Sequence, residues 1–400
     1  HLERQLMFRK LLSVFLLLTG SLSLLAAEPT LTVKQDDVWV MAGDSITAQR
    51  QHSNYIEAFY RTRYPNLNVR FRNSGIGGNR TGNILARFDY DVAAWKPTIV
   101  SIELGMNDVG NGDDPKAYID GMRQLIQKIR EIKAQPVLIS SSPVNDGSVT
   151  GDWKSDRCRR IGPYSVALKK LAEEEKVVMI DQYHALLDLW GKNKQSATPI
   201  NLTGDAVHPG PVGQYTMAGV ILSQLGVDKE VSSATLSADG KVAEAKRCKI
   251  TDVVATAGKL SFKRGEEVSA WPVDPKSKAA AELLPEIHQL SRWMLTVSDL
   301  PAGNYKVTID GKPAATLTEK ELASGWNMAT VYEGAIAERT AKITGLINSL
   351  QGGLNNNWRA ASKAKDEAKL AEAQKAIDDV ETQLRAACQP ATLLIEIGKE

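Results

Sequence analysis

The stretch Val38-Trp39-Val40-Met41-Ala42-Gly43-Asp44-Ser45 decides the reading of this chain. Five apolar residues describe a buried strand, and Gly-Asp-Ser ends it in a loop. A serine hydroxyl therefore stands at the C-terminal edge of a strand, where open α/β sheets collect ligands and chemistry. Taken alone, Gly-Asp-Ser is an ordinary turn. The surrounding sequence changes its meaning.

Working outward, apolar runs bounded by turn residues recur at 69–72, 98–104, 136–140 and 177–180. Between them lie segments of helical spacing, such as Tyr118, Met122, Ile126, Ile129 and Ile132, and the stretch 164–176. Alternating strands and helices imply a parallel sheet covered on both faces. A helix over 212–225 closes this unit near Gly226.

Three further blocks stand in order after the serine: Asn73-Ser74-Gly75-Ile76-Gly77-Gly78-Asn79, Gly105-Met106-Asn107-Asp108, and Asp205-Ala206-Val207-His208-Pro209. Singly, Asn107-Asp108 reads as a helix cap and 205–208 as a loop holding a satisfied histidine. Independent turns have no reason to fall in this order at successive strand ends. Together the four blocks resemble the SGNH, or GDSL-type, serine hydrolases over residues 36–226. The resemblance implies a flavodoxin-like three-layer α/β/α sandwich with a five-stranded parallel sheet. It also matches Ser45 to the nucleophile, His208 to the base, Asp205 to its orienter, and Gly78 and Asn107 to oxyanion donors. Gly78 is placed by its spacing from Asn73, with Gly77 and Gly75 as alternatives.

The chemistry requires these residue types. A serine hydroxyl is a weak nucleophile at neutral pH, so an imidazole must take its proton and return it to the leaving group. A carboxylate three residues before His208 reaches the far ring nitrogen and fixes the tautomer. The backbone N–H groups of Ser45 and Gly78 and the Asn107 amide would stabilise the oxyanion that forms at the carbonyl.

The texture changes after Gly226, and we divide the chain into a leader at 1–27, the catalytic unit at 28–229, a β-rich accessory region at 230–334, and a helical hairpin with a C-terminal tail at 335–400. Within the β-rich region, Trp293–Val297 and Tyr305–Ile309 read as a hairpin through Pro301-Ala302-Gly303. In the helical part, Ile336, Ile343, Leu346 and Leu350 face Leu370, Ala373, Ile377, Val380 and Leu384 across a break at Gly352-Gly353. That seam, about two heptads long, is short for a coiled coil. It reads as a hairpin packed on its own protein, with a homo-oligomer seam as the other reading. Most tryptophans read as core; Trp153 is the candidate substrate platform. His52, His184 and His288 read as surface or capping residues.

Of the 400 residues, 43% are hydrophobic and 24% charged, which is ordinary globular composition. Arg9-Lys10, the apolar run from Leu11, and Ala26-Ala27 read as a secretory signal following a start at Met7. Leu25 departs from the preferred small residue at the cleavage site. An uncleaved anchor is the competing reading, at the bottom of the spanning range. Residues 1–27 carry all of the chain's net charge of +2, so the mature chain is neutral. Nothing favours nucleic acid or an anionic membrane. Cys158, Cys248 and Cys388 show no metal-ligand spacing; one disulfide or three single cysteines are both open. No cofactor or metal is expected.

The function expected is a periplasmic or extracellular serine esterase that removes short acyl groups, acetyl on the strength of the resemblance, from a carbohydrate. A lipase, thioesterase or O-acetyltransferase with the same residues is the alternative. A non-catalytic glycan- or partner-binding protein is the rival of another class.

Overall fold

β1 (Val38–Gly43) is buried along its whole length and forms an interior strand of a parallel sheet. The computed structural model describes residues 29–144 and 156–400, so the leader read at 1–27 lies outside the described residues. β2 (Arg70–Gly75), β3 (Ile99–Glu103), β4 (Gln135–Ile139) and β5 (Val178–Ile180) complete five strands in the order β2-β1-β3-β4-β5. Every pairing in this sheet is parallel. Helices flank it, as the alternation of the sequence implies.

The register of the sheet builds the site. Gly43 pairs with Gly75 of β2 on one side and with Glu103 of β3 on the other, so three strands end level. Strand order also reverses here, with β2 and β3 on opposite sides of β1, which opens a crevice at the sheet edge. The short helix Ser45–Ala48 packs over the end of β2. A Cβ on Gly75 would sit 2.4 Å from the Ala48 backbone nitrogen, so only glycine permits this approach.

Beyond the helix Pro211–Gln224 follow β6 (Glu230–Ser237), β7 (Val242–Lys246), β8 (Cys248–Thr256), β9 (Lys259–Glu266), β10 (Arg292–Ser298), β11 (Asn304–Ile309), β12 (Lys312–Thr318), β13 (Trp326–Asn327) and β14 (Thr392–Lys399). They form two sheets, β13-β10-β6-β7 and β12-β11-β14-β9-β8, around a second core that includes Trp293, Leu295, Tyr305, Ile395 and Ile397. Arg264 is wholly buried between them. Its guanidinium donates to Ser232 Oγ at 2.8 Å and to the Met294 carbonyl at 3.0 Å, and it pairs with Glu266 at 2.7 Å.

Two readings are corrected here. The segments around Trp293 and Tyr305 are not a hairpin: β10 pairs with β6 and β13, whereas β11 pairs with β12 and β14. Alternation buries one face of each strand in either arrangement, so the pattern does not distinguish them. The tail after the hairpin is β14, an interior strand carrying buried Leu393, Ile395 and Ile397.

The helices Gly334–Ser349, Asn355–Ala364 and Glu367–Cys388 pack on the catalytic unit. The expected break is present, with non-helical backbone at Gly352. Ile343, Ile347, Leu350, Ile377 and Leu384 join the catalytic unit's own core. Trp95 stacks on Trp358 with centroids 3.4 Å apart. A buried ionic cluster completes the contact: Glu381 accepts from Arg61 at 2.8 Å and Arg72 at 2.7 Å, and Gln351 donates to Glu57 at 2.6 Å. Cys158, Cys248 and Cys388 form no disulfide with one another.

Candidate active site

Ser45 opens the helix Ser45–Ala48, and Asp44 caps it by accepting from the Ile46 N–H at 2.9 Å. This cap holds the serine at the sheet edge. Asp205 shapes the loop that brings in the histidine. Its Oδ1 accepts from the backbone N–H of Val207 at 2.7 Å and of His208 at 2.8 Å. The Gly204 N–H donates to the His208 carbonyl, and the Gly210 N–H to the Leu202 carbonyl, each at 2.8 Å, which pinches the loop shut.

These two segments meet across 163 residues of sequence. His208 Nε2 lies 2.8 Å from Ser45 Oγ, and His208 Nδ1 lies 2.8 Å from Asp205 Oδ2. Partial burial pushes the Asp205 carboxyl up, but the His208 ring and the two backbone N–H donors outweigh it and hold it below the ordinary aspartate value. An ionised Asp205 can only accept, so the proton of a neutral imidazole sits on Nδ1. Nε2 is left bare, facing the serine hydroxyl. Ser45, His208 and Asp205 are thus brought together as the sequence blocks imply.

The second and third blocks close over the serine. Gly78 lies in the turn after β2 with φ of +75°, a conformation that favours glycine. Among the described residues, the backbone N–H groups of Ser45 and Gly78 have no protein acceptor. Asn107 Nδ2 donates to Asp44 Oδ2 at 3.3 Å and to the Asn79 carbonyl at 3.2 Å, spanning the first two blocks. Asp108 is buried and accepts from the Thr81 N–H at 3.1 Å and hydroxyl at 3.2 Å. The free N–H groups of Ser45 and Gly78 and the re-directable Asn107 amide are donors of the kind an oxyanion needs. A Cβ on Gly77 would lie 3.9 Å from Ser45 Cβ, whereas one on Gly78 would meet nothing within 4 Å. Trp153 lies outside the described residues.

His52 corrects the sequence reading. It is buried rather than at the surface, with its backbone N–H donating to Gln214 Oε1 at 3.0 Å, its Nδ1 2.7 Å from the same oxygen, and its Nε2 3.3 Å from Glu103 Oε2. Glu103 also receives Gln182 Nε2 at 2.8 Å and the Thr47 hydroxyl at 3.2 Å. Burial pushes His52 down to about 4 and Glu103 up to about 7. Asp44, buried and facing Glu103, is likewise pushed up to about 7. His184 is exposed, as read; Asp181 caps the helix Gln182–Gln195 by accepting from the His184 N–H at 3.2 Å, and His288 is half-buried.

Fold and site together define a carboxylic ester hydrolase with a serine–histidine centre. Residues 41–215 match the family model of the GDSL-like lipase/acylhydrolases, and this segment belongs to that family. An acetylxylan esterase of Geobacillus stearothermophilus is 26% identical over 180 residues, 44% of this chain and 80% of its own. An arylesterase of Vibrio mimicus is 29% identical over 156 residues, 38% of this chain and 68% of its own. The solved structure of a gut microbial diltiazem-metabolizing enzyme matches at a TM-score of 0.80 and 20% identity, covering 93% of this chain and 99% of that one. That likeness is one of fold, and its coverage takes in the accessory sheets as well. Among the described residues, no helix is long and apolar enough to cross a membrane.

Proposed function

We propose that this protein is a secreted esterase that removes acetyl groups from a carbohydrate through an acyl-enzyme at Ser45. The observation that carries the reading is the Ser45–His208–Asp205 line, with 2.8 Å at each joint. His208 Nε2 takes the Ser45 proton as Oγ bonds to the acyl carbon. The carbonyl electrons move onto oxygen, where the N–H groups of Ser45 and Gly78 and the Asn107 amide receive them. On collapse the sugar oxygen leaves and takes the proton from His208. Water then attacks the acyl-enzyme, His208 again acting as base, and acetate is released.

The carbohydrate part is supported by the acetylxylan esterase relative, and secretion by the leader pattern of residues 1–27. Hydrolysis of p-nitrophenyl esters from acetyl to palmitoyl, and of acetylated xylan and pectin, tests it on wild type and Ser45→Ala. Acetate release from the polysaccharides that vanishes in Ser45→Ala is expected. A preference for long acyl chains would refute the acetylesterase reading.

A further inference from the structure

An open cleft of about 900 Å³, solvent included, borders the proposed site, with Gln49, Arg50 and Pro211 on one wall and Lys276, Ser277 and Asn348 on the other. Its first wall continues directly from the catalytic blocks. The Gln49 N–H donates to the Ser45 carbonyl at 3.0 Å, which places it one helical turn from the nucleophile. Pro211 follows His208 by three residues. The second wall comes from outside the family-matched segment 41–215. We infer that this cleft is the subsite for the leaving group, a polyhydroxylated sugar chain, and that residues 274–277 and 344–348 build its outer side. This inference rests on the carbohydrate reading above.

Three observations support it. The two walls are fixed to one another: Asn54 Nδ2 donates to Asn348 Oδ1 at 2.7 Å, the Tyr55 hydroxyl lies 2.9 Å from Ser277 Oγ, and Ser277 Oγ donates to the Pro211 carbonyl at 3.2 Å. The cleft is therefore preformed. Among the described residues, Arg50 and Lys276 form no ion pair, and with Asp274 they place both charged donors and a carboxylate acceptor among the lining residues. Arg50 also adopts φ of +66°, a costly conformation for a residue with a side chain, at the junction between the nucleophile's helix and the next.

The lining chemistry selects the ligand. Amides both donate and accept, as sugar hydroxyls do, and guanidinium and ammonium groups donate to ring and hydroxyl oxygens. A long acyl chain in the same place would strip water from these groups without replacing it, leaving them unpaired. Its cavity volume of about 340 Å³ lies at the lower end of the range of small-ligand sites, roughly 300–1,000 Å³.

The test compares kcat/KM on acetylated xylotetraose, which reaches the cleft, with kcat/KM on p-nitrophenyl acetate, which does not. Lys276 and Asn348 are exposed; Asn348→Trp also removes the Asn54 contact between the walls, whereas the Lys276 side chain takes no part in fixing them. Asn348→Trp, which fills the cleft, is expected to lower the ratio of the two values at least tenfold, through KM. Lys276→Ala is expected to lower it severalfold. If wild type prefers the oligosaccharide and both variants keep the wild-type ratio, the cleft assignment is wrong while the esterase reading stands. If wild type shows no preference for the oligosaccharide, the carbohydrate reading fails and the cleft assignment falls with it.

Discussion

Glu103 and His52 form a buried pair beneath the nucleophile's helix, 3.3 Å apart with both side chains 4% exposed, and burial keeps both groups neutral between about pH 4 and pH 7. Their partners fix the protons. Gln214 donates through Nε2 to the Ile46 carbonyl and Gln49, so its Oε1 accepts from His52 and the imidazole proton sits on Nδ1. Gln182 donates to the Ser140 carbonyl and to Glu103 Oε1, which leaves the Glu103 proton on Oε2, directed at the bare His52 Nε2.

The pair sets a stability profile with two slopes. His52 is pushed down from 6.5 to about 4, so the unfolded chain binds its proton first and this contribution is lost as pH falls through that window. Glu103 is pushed up from 4.5 to about 7, so the folded chain holds its proton longer and stability is lost as pH rises from 4.5 to 7. Glu103→Gln keeps the donor and acceptor without the charge. Relative to wild type it should gain on the order of 2 kcal/mol between pH 5 and pH 8. Urea midpoints at the two pH values check this; parallel shifts at both would contradict it.

Removing Glu381 leaves Arg72 buried without a carboxylate partner, while Arg61 keeps Glu57 at 2.7 Å. Breaking a buried pair from one side costs about 3–5 kcal/mol, because the remaining charge is uncompensated. Glu381→Gln should therefore lower the unfolding midpoint substantially, measured by denaturant titration. A change near zero would mean that this cluster does not anchor the C-terminal helices.

Asn107→Ala should lower kcat about 100- to 1,000-fold with little change in KM, since the amide acts where charge develops. Steady-state kinetics on p-nitrophenyl acetate reads this directly. An effect confined to KM would move Asn107 from the oxyanion to ground-state binding.

The sheet and the serine–histidine line were legible because each rests on a local signal. Five apolar runs end in turn residues, and the first three chemical blocks follow or border one of them, whereas the fourth lies between the helices Gln182–Gln195 and Pro211–Gln224 and not at a strand end. His52 was not legible. Its partner Gln214 lies 162 residues away, and nothing in Gln51-His52-Ser53 marks a buried imidazole. The same holds for Asp44, pushed up by burial and by the charges of Glu103 and Asp108, both supplied by the end of β3 and the turn after it. β10 and β11 were placed in one hairpin because a two-residue period shows which face is buried, not which sheet buries it. β14 carried its signal openly in Leu393, Ile395 and Ile397, but it follows a long helical run that reads as the end of the fold.

Asp205→Asn should lower turnover roughly 100- to 10,000-fold, because the amide no longer fixes the Nδ1–H tautomer of His208. An unchanged urea midpoint separates this from misfolding.

The central claim is that Ser45 is the nucleophile and that His208 activates it. The most direct measurement is treatment of the folded protein with diisopropyl fluorophosphate, followed by peptide mass mapping. One phosphoryl adduct on the Ser45 peptide is expected, at a rate that falls by orders of magnitude in His208→Ala, with no adduct in Ser45→Ala. An adduct on another residue, or wild-type ester turnover in Ser45→Ala, would contradict the account.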